Sequence, residues 1–393
     1  MEKADVVIIG AGASGLMCAI EAGKRGRKVV VLDHASKPGS KILISGGGRS
    51  NFTNYDVGAD NYISGNAHFC KSALSQFSQW DFISMMESYG IPFCERSHGQ
   101  LFCDKSARDI LNMLLEECER YSVSIRMSCK IELIEREAGH HFLAHSSRGD
   151  FHCQSLVIAT GGLSLPDSGA TPFGYKLAKQ FGINICPTSP GLVPLTLQPQ
   201  DKARFSPLSG IAVDAMVRCL DKSFRENLLF THRGLSGPAI LQISSYWKPG
   251  ADIIIDLLPD SDLEEKLLAE KQKGSGLKLK TILTKKLPKR LIASVIEETK
   301  LEQSLQEMSR DSIKNVVDGI RHLIIRPNGT EGYRTAEVTL GGIDCDEVSS
   351  KTMECRNVPG LYFTGELLDV TGWLGGYNLQ WAWSSGWTAG QYV

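Results

Sequence analysis

The loop Gly10-Ala11-Gly12-Ala13-Ser14-Gly15 constrains this chain more than any other stretch. Residues 5–9 ahead of it form a short apolar run with strand character, and residues 16–24 after it are Ala-rich and helical in pattern. Gly26 then punctuates the chain, and residues 28–32 read as a second strand ending at Asp33. This is a βαβ unit shaped for a dinucleotide. The first Gly permits the tight turn, the second lets backbone approach a pyrophosphate, and the third lets helix pack on strand. Free N–H groups at the helix start favour phosphate charge. Asp33 is placed to accept hydrogen bonds from an adenosine ribose.

Which dinucleotide is decided further along. Residues 154–159 form another strand and run into Thr160-Gly161-Gly162. Residues 360–364 form a last strand that meets Gly365-Glu366, followed by Asp369, the turn Gly375-Gly376-Tyr377-Asn378 and a terminal helical stretch beginning near Leu379. An acid after the last strand suits a ribityl chain. The N–H groups opening the terminal helix suit the flavin N1–C2=O edge, where reduction places negative charge. Three Gly-rich strand ends in this order favour FAD. The expected cofactor set adds His34, Lys41, Ser45, Gly48, Asn51 and Ile131 to the residues already named.

At this point the chain resembles a known family: the bacterial NAD(P)/FAD-dependent oxidoreductases of the HI0933-like group. These are also described as aminoacetone-oxidase-like, with a bile-acid dehydro-reductase branch. The resemblance covers nearly the whole chain and rests on four segments: residues 41–54 (KILISGGGRSNFTN), 229–238 (LFTHRGLSGP), 365–370 (GELLDV) and 375–380 (GGYNLQ). Many members carry Cys where this chain has Ser50. Residues 338–343 (VTLGGI) more distantly resemble a segment of fumarate-reductase-type flavoproteins, which carry a His just before it. This chain has Glu337 there, so fumarate chemistry is not implied.

Composition narrows the class. A chain of 393 residues makes two or three domains with a substantial core. Its net charge of −1 offers no strong overall attraction to nucleic acid. No apolar run reaches the ~18 residues of a membrane helix, and the first residues do not pattern as a signal peptide. Eleven Cys without C-x-x-C spacing read as reduced cytoplasmic thiols, so no metal site is expected. No motif marks a redox disulfide beside the flavin, although Cys94 and Cys103 could meet in a folded hairpin.

The expected fold is α/β: a discontinuous Rossmann-like FAD domain with an inserted domain that is barrel-like and partly helical. Residues 1–190 form the first part of the FAD domain, with helices over 68–89 and 105–121 and a strand meander over 130–135, 142–146 and 151–154. Pro187, Pro190 and Pro194 mark the exit. Residues 191–260 are β-rich, with strands at 192–197, 211–220, 228–231 and 253–258. Residues 261–321 are helical and rich in Glu, Lys and Leu, and residues 322–340 return as strands at 322–326 and 333–340. Residues 341–393 complete the FAD domain. An insert of this kind is expected to cover the flavin and exclude water. Trp373, Trp381, Trp383 and Trp387 are expected as core against the sheet.

The expected function is a cytoplasmic FAD-dependent oxidoreductase moving hydride between flavin N5 and a small organic substrate. NAD(P)H is expected at most as a transient donor, because no second G-x-G-x-x-G occurs. Candidate catalytic residues are His232, Arg334 and Arg49, with Arg233, Asn51 and Asn54 nearby in sequence. A small-molecule substrate is preferred, nucleic acid is not expected, no membrane is involved, and the oligomeric state is open. A second reading is a flavin-holding RNA-binding or RNA-modifying protein, sustained by a basic stripe over residues 266–290. A third is a flavin sensor without turnover.

Overall fold

The computed structural model describes every residue except Ala138 and His140. The chain divides into two compact units: residues 1–189 with 337–393, and residues 190–336. Each has its own buried apolar core.

The first unit is built on a five-stranded parallel sheet: β1 (Val6–Ile9), β2 (Val29–Leu32), β3 (Ser124–Arg126), β4 (Ser155–Ile158) and β5 (Leu361–Phe363). The spatial order is β5-β4-β1-β2-β3. The chain winds one way from β1 to β3 and the other way from β1 to β5. A crevice therefore opens beyond the carboxyl ends of β1 and β4, the switch point where open α/β sheets bind ligands. Helices α1 (Ala13–Lys24) and α2 (Tyr377–Gly390) pack on each other. β1, β2 and β4 are buried along their whole length, as strands covered on both faces must be.

Some elements differ from expectation for local reasons. Residues 68–89 are two helices, Phe69–Gln76 and Gln79–Ser88. Phe77 is extended, and Ser78 caps the second helix reciprocally with Asp81, at 2.7 Å from its N–H and 2.6 Å from its hydroxyl. The proline-rich exit is a strand, Ile185–Gly191, which pairs with Val338–Ile343 in a two-stranded ribbon where its prolines need no ladder partner. The meander Ile131–Arg136, Phe142–Ser146, Phe151–Cys153 gains a fourth, parallel strand from Glu2–Lys3. Cys94 pairs across its hairpin with Phe102 and not Cys103, and all eleven cysteines are free.

The second unit holds a seven-stranded antiparallel sheet, in spatial order Leu323–Ile325, Ile253–Asp256, Ala212–Cys219, Lys222–Phe230, Gly234–Ser236, Leu195–Leu197, Pro327–Thr330. Its two edge strands are separated in sequence by Arg326 alone. A chain advances at most ~3.6 Å per residue, so the sheet must curl until its edges meet, which makes it barrel-like. Helices Leu263–Gln272, Leu279–Leu283, Lys289–Val295, Glu298–Glu302 and Arg310–Arg321 follow. The last buries Ile313, Val316, Val317 and Ile320, one stripe at helical spacing. The strand expected over 333–340 begins only at Val338. Thr335 and Ala336 donate back to the Gly332 carbonyl at 3.2 and 3.1 Å, and Gly332 has φ +79°, so the chain turns there and Arg334 lies in a turn. Among the described residues no helix is long and apolar enough to cross a membrane.

Candidate functional site: a nucleotide cradle at the strand ends

The three glycines of the first loop do three different things. At Gly10, φ is +114° and a Cβ would sit 2.4 Å from the Ala159 carbonyl oxygen. At Gly15 a Cβ would lie 1.9 Å from the Gly10 carbonyl oxygen, so α1 touches the strand turn directly. At Gly12 a Cβ would meet nothing within 4 Å. The first and third glycines are thus required by crowding within the protein, and the second opens onto free space. Gly12 also caps α1, and no side chain caps this end. The helix start around Ala13 and Ser14 therefore presents its N–H groups to that space. An open cradle at a bare helix end fits a pyrophosphate.

Asp33 follows β2. One carboxylate oxygen accepts the Ala11 N–H at 2.7 Å and the other the Ala35 N–H at 2.8 Å. These bonds fix the carboxylate beside the loop and leave lone pairs for ribose hydroxyls. His34 is half exposed, with its ring 3.5 Å from Asp33. Residue 129 leads to Ile131, and the Cys129 N–H donates to the Asp33 carbonyl at 2.8 Å, so this segment borders the same end.

The other end is a polar network. Lys41 Nζ donates to Glu366 Oε2 at 2.7 Å and to Ser164 Oγ at 2.9 Å. The Ser164 hydroxyl and the Thr339 N–H donate to Glu366 Oε1 at 2.8 and 3.0 Å. Burial alone pushes the Glu366 carboxyl up, but the Lys41 charge and these bonds outweigh it and hold it below the ordinary value. Gly161 has φ +69°, and a Cβ on Gly162 would clash with Thr339 and Glu366. Thr160 Oγ1 is buried without a partner among the described residues. A Cβ on Gly365 would be 2.7 Å from Ser14 Oγ, which brings the last strand end onto the first loop. Asp369 Oδ2 accepts the Gly65 N–H at 2.8 Å.

The Gly375–Leu379 turn is gripped from below. Gly376 has φ +95°, and a Cβ would lie 2.3 Å from the Thr53 carbonyl oxygen. Asn54 donates to the Gly375 carbonyl at 3.0 Å. With the Asn51 amide oriented to satisfy both its groups, its oxygen accepts the Gly376 N–H at 3.3 Å. Asn378 ties the turn to Gly372 through two 2.8 Å bonds. The Tyr62 hydroxyl donates to the Tyr377 carbonyl at 3.0 Å. Behind the turn, Trp381 donates to the Gly365 carbonyl, and Trp383 stacks on Phe82 at 4.5 Å while donating to Phe52. Ser45 Oγ donates to Ser50 Oγ at 3.1 Å, and Gly48 follows in a positive-φ turn.

Ser164 and Thr339 complete the Lys41–Glu366 network, yet neither stood out in the sequence as a site residue. Both act through positions that only the fold brings together. His232 and Arg334 belong to the second unit and Arg49 to the first. All three are exposed, and none has a side-chain partner among the described residues.

A family model described as HI0933-like protein Rossmann domain matches residues 4–392. The chain belongs to the HI0933-like family. It is a flavoprotein oxidoreductase by that membership, and the cradle above fits an extended flavin dinucleotide. One relative is a "Ribosomal RNA dihydrouridine synthase" of Escherichia coli (strain K12), 51% identical over 394 residues, covering 100% of this chain and 98% of the relative. Another, a "3-dehydro-bile acid delta(4,6)-reductase" of Clostridium scindens, is 30% identical and covers 98% of this chain and 97% of the relative. Among solved structures, a 3-ketosteroid-delta4-(5alpha)-dehydrogenase of Rhodococcus jostii RHA1 shares the fold at a TM-score of 0.50 and 14% identity, covering 99% of this chain and 97% of that one.

The E. coli relative corrects one expectation. A small-molecule substrate was preferred and nucleic acid set aside, whereas that relative is named for ribosomal RNA. The physical reason is that net charge is an average. A chain at −1 overall still holds nine Lys or Arg against one acid over residues 266–290.

Proposed function

We propose that this protein is an FAD-dependent ribosomal RNA dihydrouridine synthase, which reduces the C5=C6 bond of a uridine. The observation that carries the reading is identity over the whole chain to a relative of that name, 51% across both units. The intact dinucleotide cradle of the first unit is what such a reaction requires.

The chemistry suits the site. In uracil, C5=C6 is conjugated with the C4 carbonyl, so reduction adds hydride at C6 and a proton at C5. When bound, FAD supplies the two-electron carrier that delivers hydride to such a carbon. The loop at Gly12 and the start of α1 would hold its pyrophosphate, and Asp33 its adenosine ribose. The Lys41–Glu366–Ser164–Thr339 network and Asp369 would hold the ribityl side, and the Gly375–Leu379 turn the ring edge. His232 is our candidate to pass the proton to C5. Arg334 and Arg49 are our candidates to bind the uracil carbonyls or neighbouring phosphates. NAD(P)H is the proposed donor, binding transiently. A ribosomal substrate fits a cytoplasmic protein.

The test is anaerobic. The FAD-loaded protein is reduced, then mixed with protein-free ribosomal RNA. Recovery of the yellow oxidised form at a rate set by RNA concentration supports the reading. No recovery with RNA, alongside rapid recovery with simple enones, contradicts it.

A further inference from the structure

We propose that the exposed face of the second unit built by residues 266–290 docks the phosphate backbone of RNA. The inference rests on the reading that the substrate is RNA, and it adds where that RNA is gripped.

Charge in this chain is segregated. Nine Lys or Arg face one acid, Glu270, over residues 266–290, a local +8 in a chain whose total is −1. Several of these cations already have structural work. Lys271 Nζ donates to the carbonyls of Leu305, Gln306 and Met308 at 3.2, 2.8 and 2.7 Å, tying its helix to the next loop. Lys278 and Lys280 share Glu302 at 2.7 and 2.9 Å, and Lys273 pairs with Glu270 at 2.7 Å. Arg290 donates to the Pro207 carbonyl at 3.1 Å.

Lys266, Lys285, Lys286 and Lys289 remain. All four are exposed, and none is in an ion pair among the described residues. Two of them, Lys266 on the helix Leu263–Gln272 and Lys286 in the turn after Leu279–Leu283, line one open cavity of about 490 Å³. That volume lies within the roughly 300–1,000 Å³ of small-ligand sites. Arg225 lines it too, but its charge is taken up by Asp214 and Asp260 at 2.9 and 2.5 Å. Leu258 and Pro288 give the cavity an apolar wall. Unpaired ammonium groups beside an apolar wall suit a phosphate with its ribose. Lys285 and Lys289 flank Lys286 in sequence and extend the positive surface to neighbouring phosphates. Long, mobile lysines that contact backbone phosphates supply affinity without reading sequence.

The test uses the full-length, FAD-loaded protein and protein-free ribosomal RNA, with binding followed over a salt series. Replacing Lys266, Lys285, Lys286 and Lys289 together by Glu should weaken binding at least tenfold at low salt. The slope of log affinity against log salt should fall by roughly 3, as expected for loss of about four phosphate contacts. Flavin content and the rate of flavin reduction should not change. The double variant Lys278→Gln, Lys280→Gln removes cations already paired to Glu302 and should leave binding near wild type. Wild-type affinity and slope in the fourfold variant would overturn the proposal. So would an equal loss in the double variant, or a wild-type protein that binds anionic lipid vesicles or polyglutamate but not RNA. The two readings separate cleanly. A wild type that binds RNA through these lysines but forms no dihydrouridine keeps the docking face and refutes the synthase. Equal dihydrouridine formation by wild type and fourfold variant does the reverse.

Discussion

Glu366 in the first unit and Asp260 in the second are both ion-paired carboxylates, and they could hardly differ more. The Glu366 side chain is 18% exposed and accepts from Lys41, Ser164 and Thr339. The Asp260 side chain is 72% exposed and, among the described residues, pairs with Arg225 alone. A largely buried, multiply bonded carboxylate fixes geometry, because losing any partner strands charge in a poor solvent. An exposed pair is screened and contributes little. The same division holds for glycines and lysines. In the first unit, polar groups and positive-φ glycines shape a cradle to the width of a backbone. In the second, cations stand free on the surface. The first unit is built to hold one ligand tightly. On the proposed docking, the second meets a large, charged one loosely.

The strongest way to break this comparison is Gly15→Ala. The added Cβ would lie 1.9 Å from the Gly10 carbonyl oxygen. It must push α1 off the strand turn, at a cost of about 3 kcal/mol, with loss of flavin as well. Urea unfolding of the apo protein measures the first effect, and a normal midpoint contradicts the crowded geometry. Gly12→Val separates the two effects, because a Cβ there meets nothing within 4 Å. The apo protein should unfold within about 0.5 kcal/mol of wild type, while flavin content after purification collapses. Full flavin occupancy would remove the pyrophosphate from that space.

Smaller effects are expected at the candidate substrate residues. His232→Ala and Arg334→Ala should keep FAD yet slow flavin reoxidation by RNA. Loss of a charge-assisted hydrogen bond worth roughly 1.5–3 kcal/mol corresponds to about ten- to hundredfold. Unchanged stopped-flow rates in both variants would return these side chains to a surface role.

Glu366→Gln tests the buried network through pH. The folded carboxyl lies below its ordinary value, so it contributes stability above that ordinary value and loses it as pH falls through the folded one. The variant should lose about 1–3 kcal/mol near neutrality and show a flatter acid limb. An acid limb identical to wild type would mean that Glu366 is not the group responsible. At the bottom of the scale, Asp260→Asn should leave the thermal midpoint unchanged. A clear drop there would show that the second unit relies on its surface charge for stability.

The first unit was largely legible in the sequence because its constraints are local. Gly10, Gly12, Gly15 and Asp33 lie within one βαβ unit, so their spacing alone conveys the turn, the cradle and the ribose acid. The Lys41–Glu366 pair was named residue by residue, but its bonding was not. Ser164 and Thr339 reach it from 123 and 298 positions beyond Lys41, and no local pattern marks them. The helix break at Phe77 was missed because apolar spacing continues through it, and its local mark is the Ser78–Asp81 cap that starts the second helix. The strand over 333–340 was misplaced because Gly332 folds the chain back ahead of Val338. The preference for a small-molecule substrate fails because it weighed the chain total of −1 above the basic stripe over residues 266–290.

The central claim is that the cradle of the first unit drives reduction of a uridine in ribosomal RNA. Its most direct test is nucleoside mass spectrometry of protein-free ribosomal RNA after anaerobic incubation with FAD-loaded protein and NAD(P)H. The account predicts a uridine product heavier by two hydrogen atoms, formed by wild type and absent with Gly12→Val. Full flavin reduction with no such product in any RNA tested would contradict it.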